Sequence, residues 1–166
     1  MFGQFFEKRR VKKVFGRLVT KEAAEAIAEG RFSSEMKMTA GRIDFILVFL
    51  RGESAEQVSE RMGVVSDLAM KHNGTVEGMI SALMTITFGT FPKEQPLPSS
   101  RLALVDELQS ALGSDIKIVH GTANGHIGIF GSSTRMAYTF LVPKFDVALA
   151  RLGHMEFGKI EEIVFV

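Results

Sequence analysis

From Arg42 onward two hydrophobic periods alternate along this chain, and their order constrains the fold more than any other feature. "DFILVFLRG" is an unbroken apolar run, as expected of a strand covered on both faces. In "SAEQVSERMGVVSDLAMKH", Val58, Met62, Val65 and Leu68 fall at helical spacing, with Ser54 as the cap. "NGTVEGMISALMTITFG" opens on an Asn73-Gly74 turn signal and continues in β-branched residues, which predicts one or two strands. Pro92, Pro96 and Pro98 mark a loop before "SSRLALVDELQSALG", a short capped helix that Gly113 stops. "DIKIVHGTANGHIGIFG" and "AYTFLVP" read as an antiparallel pair, "FDVALARLG" as a helix and "KIEEIVFV" as a closing strand. The order βαββαβ with additional elements predicts an α+β sandwich, its helices laid on a largely antiparallel sheet.

Residues 1–40 differ in character. Lys8, Arg9, Arg10, Lys12, Lys13 and Arg17 alternate with apolar residues, of which Val11, Val14, Phe15 and Leu18 line one helical face. Thr20 is placed to cap a second helix, "KEAAEAIAEG", ending at Gly30, and "SSEMKMTAGR" reads as a linker. The expected organisation is a basic amphipathic helical extension over 1–40 and one domain over 41–166. The basic run reads first as the solvated face of a helix that docks on the domain or on a second copy. Contact with an anionic membrane surface is the second reading.

Composition removes several function classes. A net charge of +1 gives no overall field to attract nucleic acid. Without cysteine there is no disulfide framework, no thiolate nucleophile and no sulfur-ligated metal. "MFGQFFEKRR" has its apolar and basic residues in the wrong order for a signal peptide, and "FILVFL" is too short to cross a bilayer. A soluble, cytoplasmic chain is expected.

Local chemistry names no activity. Gly125, Gly128 and Gly131 stand three apart, a spacing that matches neither G-x-G-x-x-G nor a Walker motif, so a glycine-rich turn or bulge is expected. His72, His120, His126 and His154 have no carboxylate at ligand spacing and read as structural or solvent-facing. Nothing marks a nucleophile elbow, and Glu161-Glu162 read as edge-strand charges.

The stretch "GIFGSSTRMAYTFLVP" resembles the hairpin G-x-x-G-S-x-x-R-x-x-Y-T of the class III nucleotidyl cyclases, the adenylate and guanylate cyclases. Gly128, Gly131, Ser132, Arg135, Tyr138 and Thr139 match it in order, followed by Ala150-Arg151-Leu152 for that family's helix ending A-R-L. "KHNGTVEGMISALMTITFG" is similar to the family's G-G-T-V-x-x-x-x-G-D-A-x-M-x-x-F-G, "FILVFLRGES" to its first strand ending D-I-R-G-F-T, and "VFGRLVTKEAAEAI" to F-x-R-Y-V-S-P-E-V-V. The resemblance spans about Val14 to Leu152. It implies a ferredoxin-like βαββαβ sandwich, with one helix before "NGTV" where the family commonly has two.

The same resemblance implies a degenerate active site. The family's two metal-holding aspartates fall at Phe49 and Ser81, its purine-selecting lysine at Glu77, and its purine-selecting aspartate at Val142 or Pro143. The asparagine falls at Val147 or Asp146, and only the transition-state arginine is matched, at Arg151. A phenylalanine and a neutral serine do not make a two-metal centre. The expected function is therefore a non-catalytic, dimerising or regulatory signalling domain, without cofactor, pairing with itself or with a related cyclase domain. Two alternatives stand beside it. One is a divergent adenylate or guanylate cyclase, with Mg or Mn, reusing the cleft through Asp44, Glu77 or Asp146. The other is a small-ligand sensor whose emptied cleft is lined by Phe49, Val142 and Val147.

Overall fold

The structure, a computed structural model, describes residues 38–90, 98–131 and 136–165. The helices expected before residue 38, with their basic face and Thr20 cap, lie outside the described residues, as do Ser132 and Arg135 of the hairpin motif.

The elements follow the expected order. Strand β1 is Thr39–Leu50, helix α1 Ala55–Lys71, β2 Thr75–Ile80, β3 Leu83–Phe88 and α2 Pro98–Leu112. After a short 3-10 turn come β4 Ile116–Gly131, β5 Met136–Leu141, α3 Phe145–His154 and β6 Ile160–Val164. The sheet runs β2-β3-β1-β4-β5, with β6 beside β4. The first four strands are antiparallel neighbours in the order of a ferredoxin-like βαββαβ unit, and β5, α3 and β6 extend it. β5 pairs with the second half of β4 from His126 to Gly131, and β6 runs parallel to its first half from Ile118 to Thr122. One long strand thus carries two partners on one side.

β1 is the centre of the domain because both of its faces are covered. Ile46, Val48 and Leu50 pack with Val65 and Ala69 of α1 and with Leu104 and Leu108 of α2. Phe45 and Leu47 point the other way, into a cluster with Val119, Ala148 and Leu152 that α3 covers. The continuous apolar run is the signature of this double burial. The strand begins earlier than the sequence suggests: Thr39 to Arg42, expected as linker, pair with Ile127 to Asn124. Only that long-range pairing makes so polar a stretch extended.

Local chemistry sets the helix boundaries. The Ser54 hydroxyl accepts from Gln57 N at 3.3 Å and caps α1. Pro98, expected in the loop, opens α2, where a missing N–H costs no hydrogen bond. On that face Arg101 donates to His120 Nδ1 and to Glu162, each at 2.8 Å, and so ties α2 to β4 and β6. Burial, and then the Arg101 charge, hold the His120 imidazolium pKa below its ordinary range.

The glycines of "GHIGIFG" do not form a turn, because they run inside β4. What Gly125 supplies is close approach. A Cβ on Gly125 would lie 2.5 Å from Leu141 O and 2.9 Å from Ile43 Cδ1. Gly121 is tighter still: a Cβ there would stand 1.9 Å from Ile163 O, so β6 reaches β4 only over a glycine. Substituting Gly121→Ala should therefore displace β6 and cost at least about 2 kcal/mol, read as a lower midpoint in chemical unfolding.

Candidate functional site

Two groups of residues lie on the side of the sheet that α3 covers, one at the end of β1 and one at the bulge in β2.

At the end of β1, register places Phe49 between Leu83 of β3 and Lys117 of β4. The Leu50 N–H donates to Ala82 O at 2.9 Å, which brings the turn between β2 and β3 against this strand end. Ser81 occupies that turn with φ 55°, its side chain exposed. The positions of the two expected metal aspartates are thus brought together. What stands there is an aromatic and cationic stack. The Phe49 ring lies 6.2 Å from that of Phe157, and the Lys117 ammonium lies 5.2 Å from the first ring and 5.4 Å from the second. Lys117 is only 8% exposed and donates to Gly153 O at 3.2 Å and Met155 O at 3.1 Å, near the C-terminal end of α3. The Arg51 guanidinium covers the outer side of Phe157 at 4.4 Å. Carbonyl acceptors and ring faces satisfy the buried ammonium without a carboxylate.

The second group surrounds Glu77. A register shift between Val76 and Gly78 makes it the extra residue of a bulge, which aims its side chain inward from an edge strand. The Thr87 hydroxyl donates to Glu77 Oε1 at 2.8 Å, Thr87 and Thr90 hydroxyls lie 3.1 Å apart, and Thr90 also bonds the carboxylate. Burial outweighs these bonds and raises the Glu77 carboxyl above the ordinary carboxylate range. Glu77 borders an open cavity of about 280 Å³, with Gly78, Thr85, Thr139, Phe140, Leu141, Val142 and Phe145. The two positions where the resemblance puts the purine-selecting lysine and aspartate, Glu77 and Val142, therefore line one cavity. Pro143 is exposed beyond it.

The remaining expected residues do not join either group. Asp146 and Val147 are exposed on the first turn of α3. Arg151 is exposed and spent on Glu161, Nε to Oε1 at 2.6 Å. Asp44 lies on the opposite side of the sheet, in the same alternation as Ile46 and Val48, where its Oδ1 accepts from Thr122 at 2.6 Å and Arg42 at 3.4 Å. An acidic site made of Asp44 and Glu77 beside Arg151 is not assembled. Phe49 and Val147 likewise do not line the cavity that Val142 does. Among the described residues no three His, Asp or Glu side chains gather as a metal cluster, and no helix is long and apolar enough to cross a membrane.

No protein-family model and no curated protein matches the chain. Solved structures do. The adenylyl cyclase CyaB from P. aeruginosa superposes with a TM-score of 0.57 at 20% identity, over 75% of this chain and 77% of that one. A bacterial light-regulated adenylyl cyclase superposes at 0.70 and 11% identity, over 93% of this chain and 53% of that one. The dimeric guanylyl cyclase domain of the RhoGC fusion protein from the aquatic fungus Blastocladiella emersonii gives 0.59 and 10%, over 75% and 79%. The chain has the cyclase fold.

Within that cyclase fold, several side chains of the two groups carried little or no signal in the sequence, among them Lys117, Phe157, Thr87 and Thr90. Lys117 left one signal, a charge inside the apolar alternation of "DIKIV". Phe157 left none, since it lies in the short loop between α3 and β6. Thr87 lies in, and Thr90 just after, a strand of alternating Met84, Thr85, Ile86 and Thr87, in which the threonines mark a polar face.

A pH dependence follows from Glu77. Its folded pKa is raised above the ordinary 4.5, so the folded state keeps this proton where the unfolded chain has lost it. Its contribution is fully present below that value and is lost as pH rises through the window just above it. Glu77→Gln should remove this loss and unfold at a higher temperature than wild type at neutral pH, while the two converge in acid.

Proposed function

We propose that this chain is a degenerate, non-catalytic domain of the cyclase fold that acts by pairing, with a second copy or with a related cyclase domain. The observation that carries this is Phe49. Where the resemblance puts the first metal aspartate, a phenyl ring packs against a buried ammonium. Mg²⁺ and Mn²⁺ take hard oxygen ligands, and this position offers a hydrocarbon ring, one neutral hydroxyl nearby at Ser81 and a positive charge that repels a divalent ion. The residues present do not fit a two-metal centre, so no phosphoryl chemistry is routed through one. Arg151, the one matched residue, faces Glu161 instead of the cavity.

Pairing has support of its own. Met79 and Ile80, 52% and 76% exposed, follow Gly78, which lines the cavity, and Leu141, which lines it from β5, is 52% exposed. Apolar side chains exposed together around a concave surface mark an interaction site. The RhoGC domain of the same fold is a non-canonical dimer, and two-fold pairing is the commonest form of self-association.

Two measurements test these statements separately. Thermal unfolding with ATP or GTP, with and without Mn²⁺, should show no metal-dependent change. A ligand at about a hundred times its Kd would add roughly 2.7 kcal/mol, and a shift of that kind requiring Mn²⁺ overturns the non-catalytic reading. Light scattering on the eluting protein should give a dimer mass, and Ile80→Asp or Leu141→Asp should give a folded monomer. A monomeric wild-type chain would leave only the partnership with a different cyclase domain.

A further inference from the structure

Among the described residues the cavity beside Glu77 holds a carboxylate and no counter-charge, and this names the class of molecule it suits. We propose that it binds a small organic cation, a primary ammonium carried on a compact aromatic body. This deepens the non-catalytic reading and rests on it, because a nucleoside triphosphate held through metals would claim the same cleft.

Charge comes first. None of the described lining residues is basic, so among them the Glu77 carboxylate meets no cation. Its protein partners are the hydroxyls of Thr87 and Thr90, which hold it in place and leave further lone pairs to accept from a ligand. A half-buried carboxylate without a cation among the described residues costs folding stability, and a bulge turns it inward from an edge strand that could have presented it to solvent. Groups kept at such a cost concentrate in binding and catalytic sites. An ammonium restores the missing charge, and Thr85 and Thr139 offer hydroxyl acceptors for its other protons. An anionic ligand gains nothing here and meets the carboxylate.

Shape sets the body of the ligand. The volume of about 280 Å³ lies at the small end of ligand pockets. Its apolar wall is Phe140, Val142 and Phe145. The Phe140 and Phe145 rings meet edge to face at 5.4 Å, and Phe145 is held against Phe45 of β1 at 5.5 Å. This wall is fixed by the core and suits a single ring.

The test uses three probes of one shape titrated into the full chain at neutral pH: phenethylamine, phenylethanol and phenylacetate. The amine should raise the unfolding midpoint and move amide resonances of Glu77, Gly78 and Thr139 to Val142 in NMR spectra, and the other two should not. Glu77→Gln keeps an acceptor for Thr87 and should unfold no earlier than wild type, yet bind the amine about tenfold or more weakly. Loss of binding in a protein at least as stable cannot be read as misfolding. The proposal is overturned if the alcohol binds as well as the amine, if amine binding survives Glu77→Gln, if the moved resonances lie elsewhere, or if the amine leaves midpoint and spectra unchanged. Failure of the non-catalytic reading shows differently, as stabilisation by ATP or GTP that requires Mn²⁺.

Discussion

Everything in this domain hangs on β1 being paired on both edges and covered on both faces. Its antiparallel register with β4 runs without interruption from Thr39–Ile127 to Leu50–Ile116, and β3 takes its other edge from Asp44 to Phe49. Backbone hydrogen bonds fix the strand in two directions, and the alternating side chains lock α1 and α2 to one face and α3 to the other. A slip of one residue would turn Ile46, Val48 and Leu50 out of one core and Phe45 and Leu47 out of the other. The positions at the end of the strand are therefore placed whatever side chains they carry.

That separation of scaffold from chemistry explains the cleft. The backbone brings Phe49 near the turn holding Ser81, and Glu77 and Val142 line the same cavity. The side chains at those places have different work. Phe49, Phe157, Lys117 and Arg51 form a packed stack that closes the end of the strand and binds the segment after α3 through carbonyl oxygens. Glu77 goes the opposite way, a carboxylate that burial makes harder to ionise in a cavity with no partner charge among the described residues. One group is packed around Lys117, and the other lines an open cavity with a single acidic side chain among the described residues.

Local pattern carried much of this. The double-buried strand, the Ser54 cap, the paired β4 and β5 and the helix at Phe145 were all legible, because periodicity and capping chemistry are properties of neighbouring residues. The polar start of β1 was not, since Thr39 to Arg42 are strand only through pairing with residues more than eighty positions away. Nor was the use of the glycines at 121 and 125. A glycine that ends an element and one that lets another strand approach look the same in sequence, and the carbonyls that require them, Ile163 O and Leu141 O, arrive from elsewhere in the chain.

By itself the sequence determined the order of elements and the α+β architecture, and it carries Phe49, Ser81 and Val142 where the cyclase resemblance leads one to expect acidic side chains. Those follow from residue type and local spacing. Only the tertiary structure decided where the remaining charges point. Asp44 and Glu77 lie on opposite sides of the sheet, Arg151 is spent on Glu161, and Lys117 lies beside Phe49. The reason is physical: a charge acquires its role from what faces it across strands and layers, and sequence spacing does not record which residues those are.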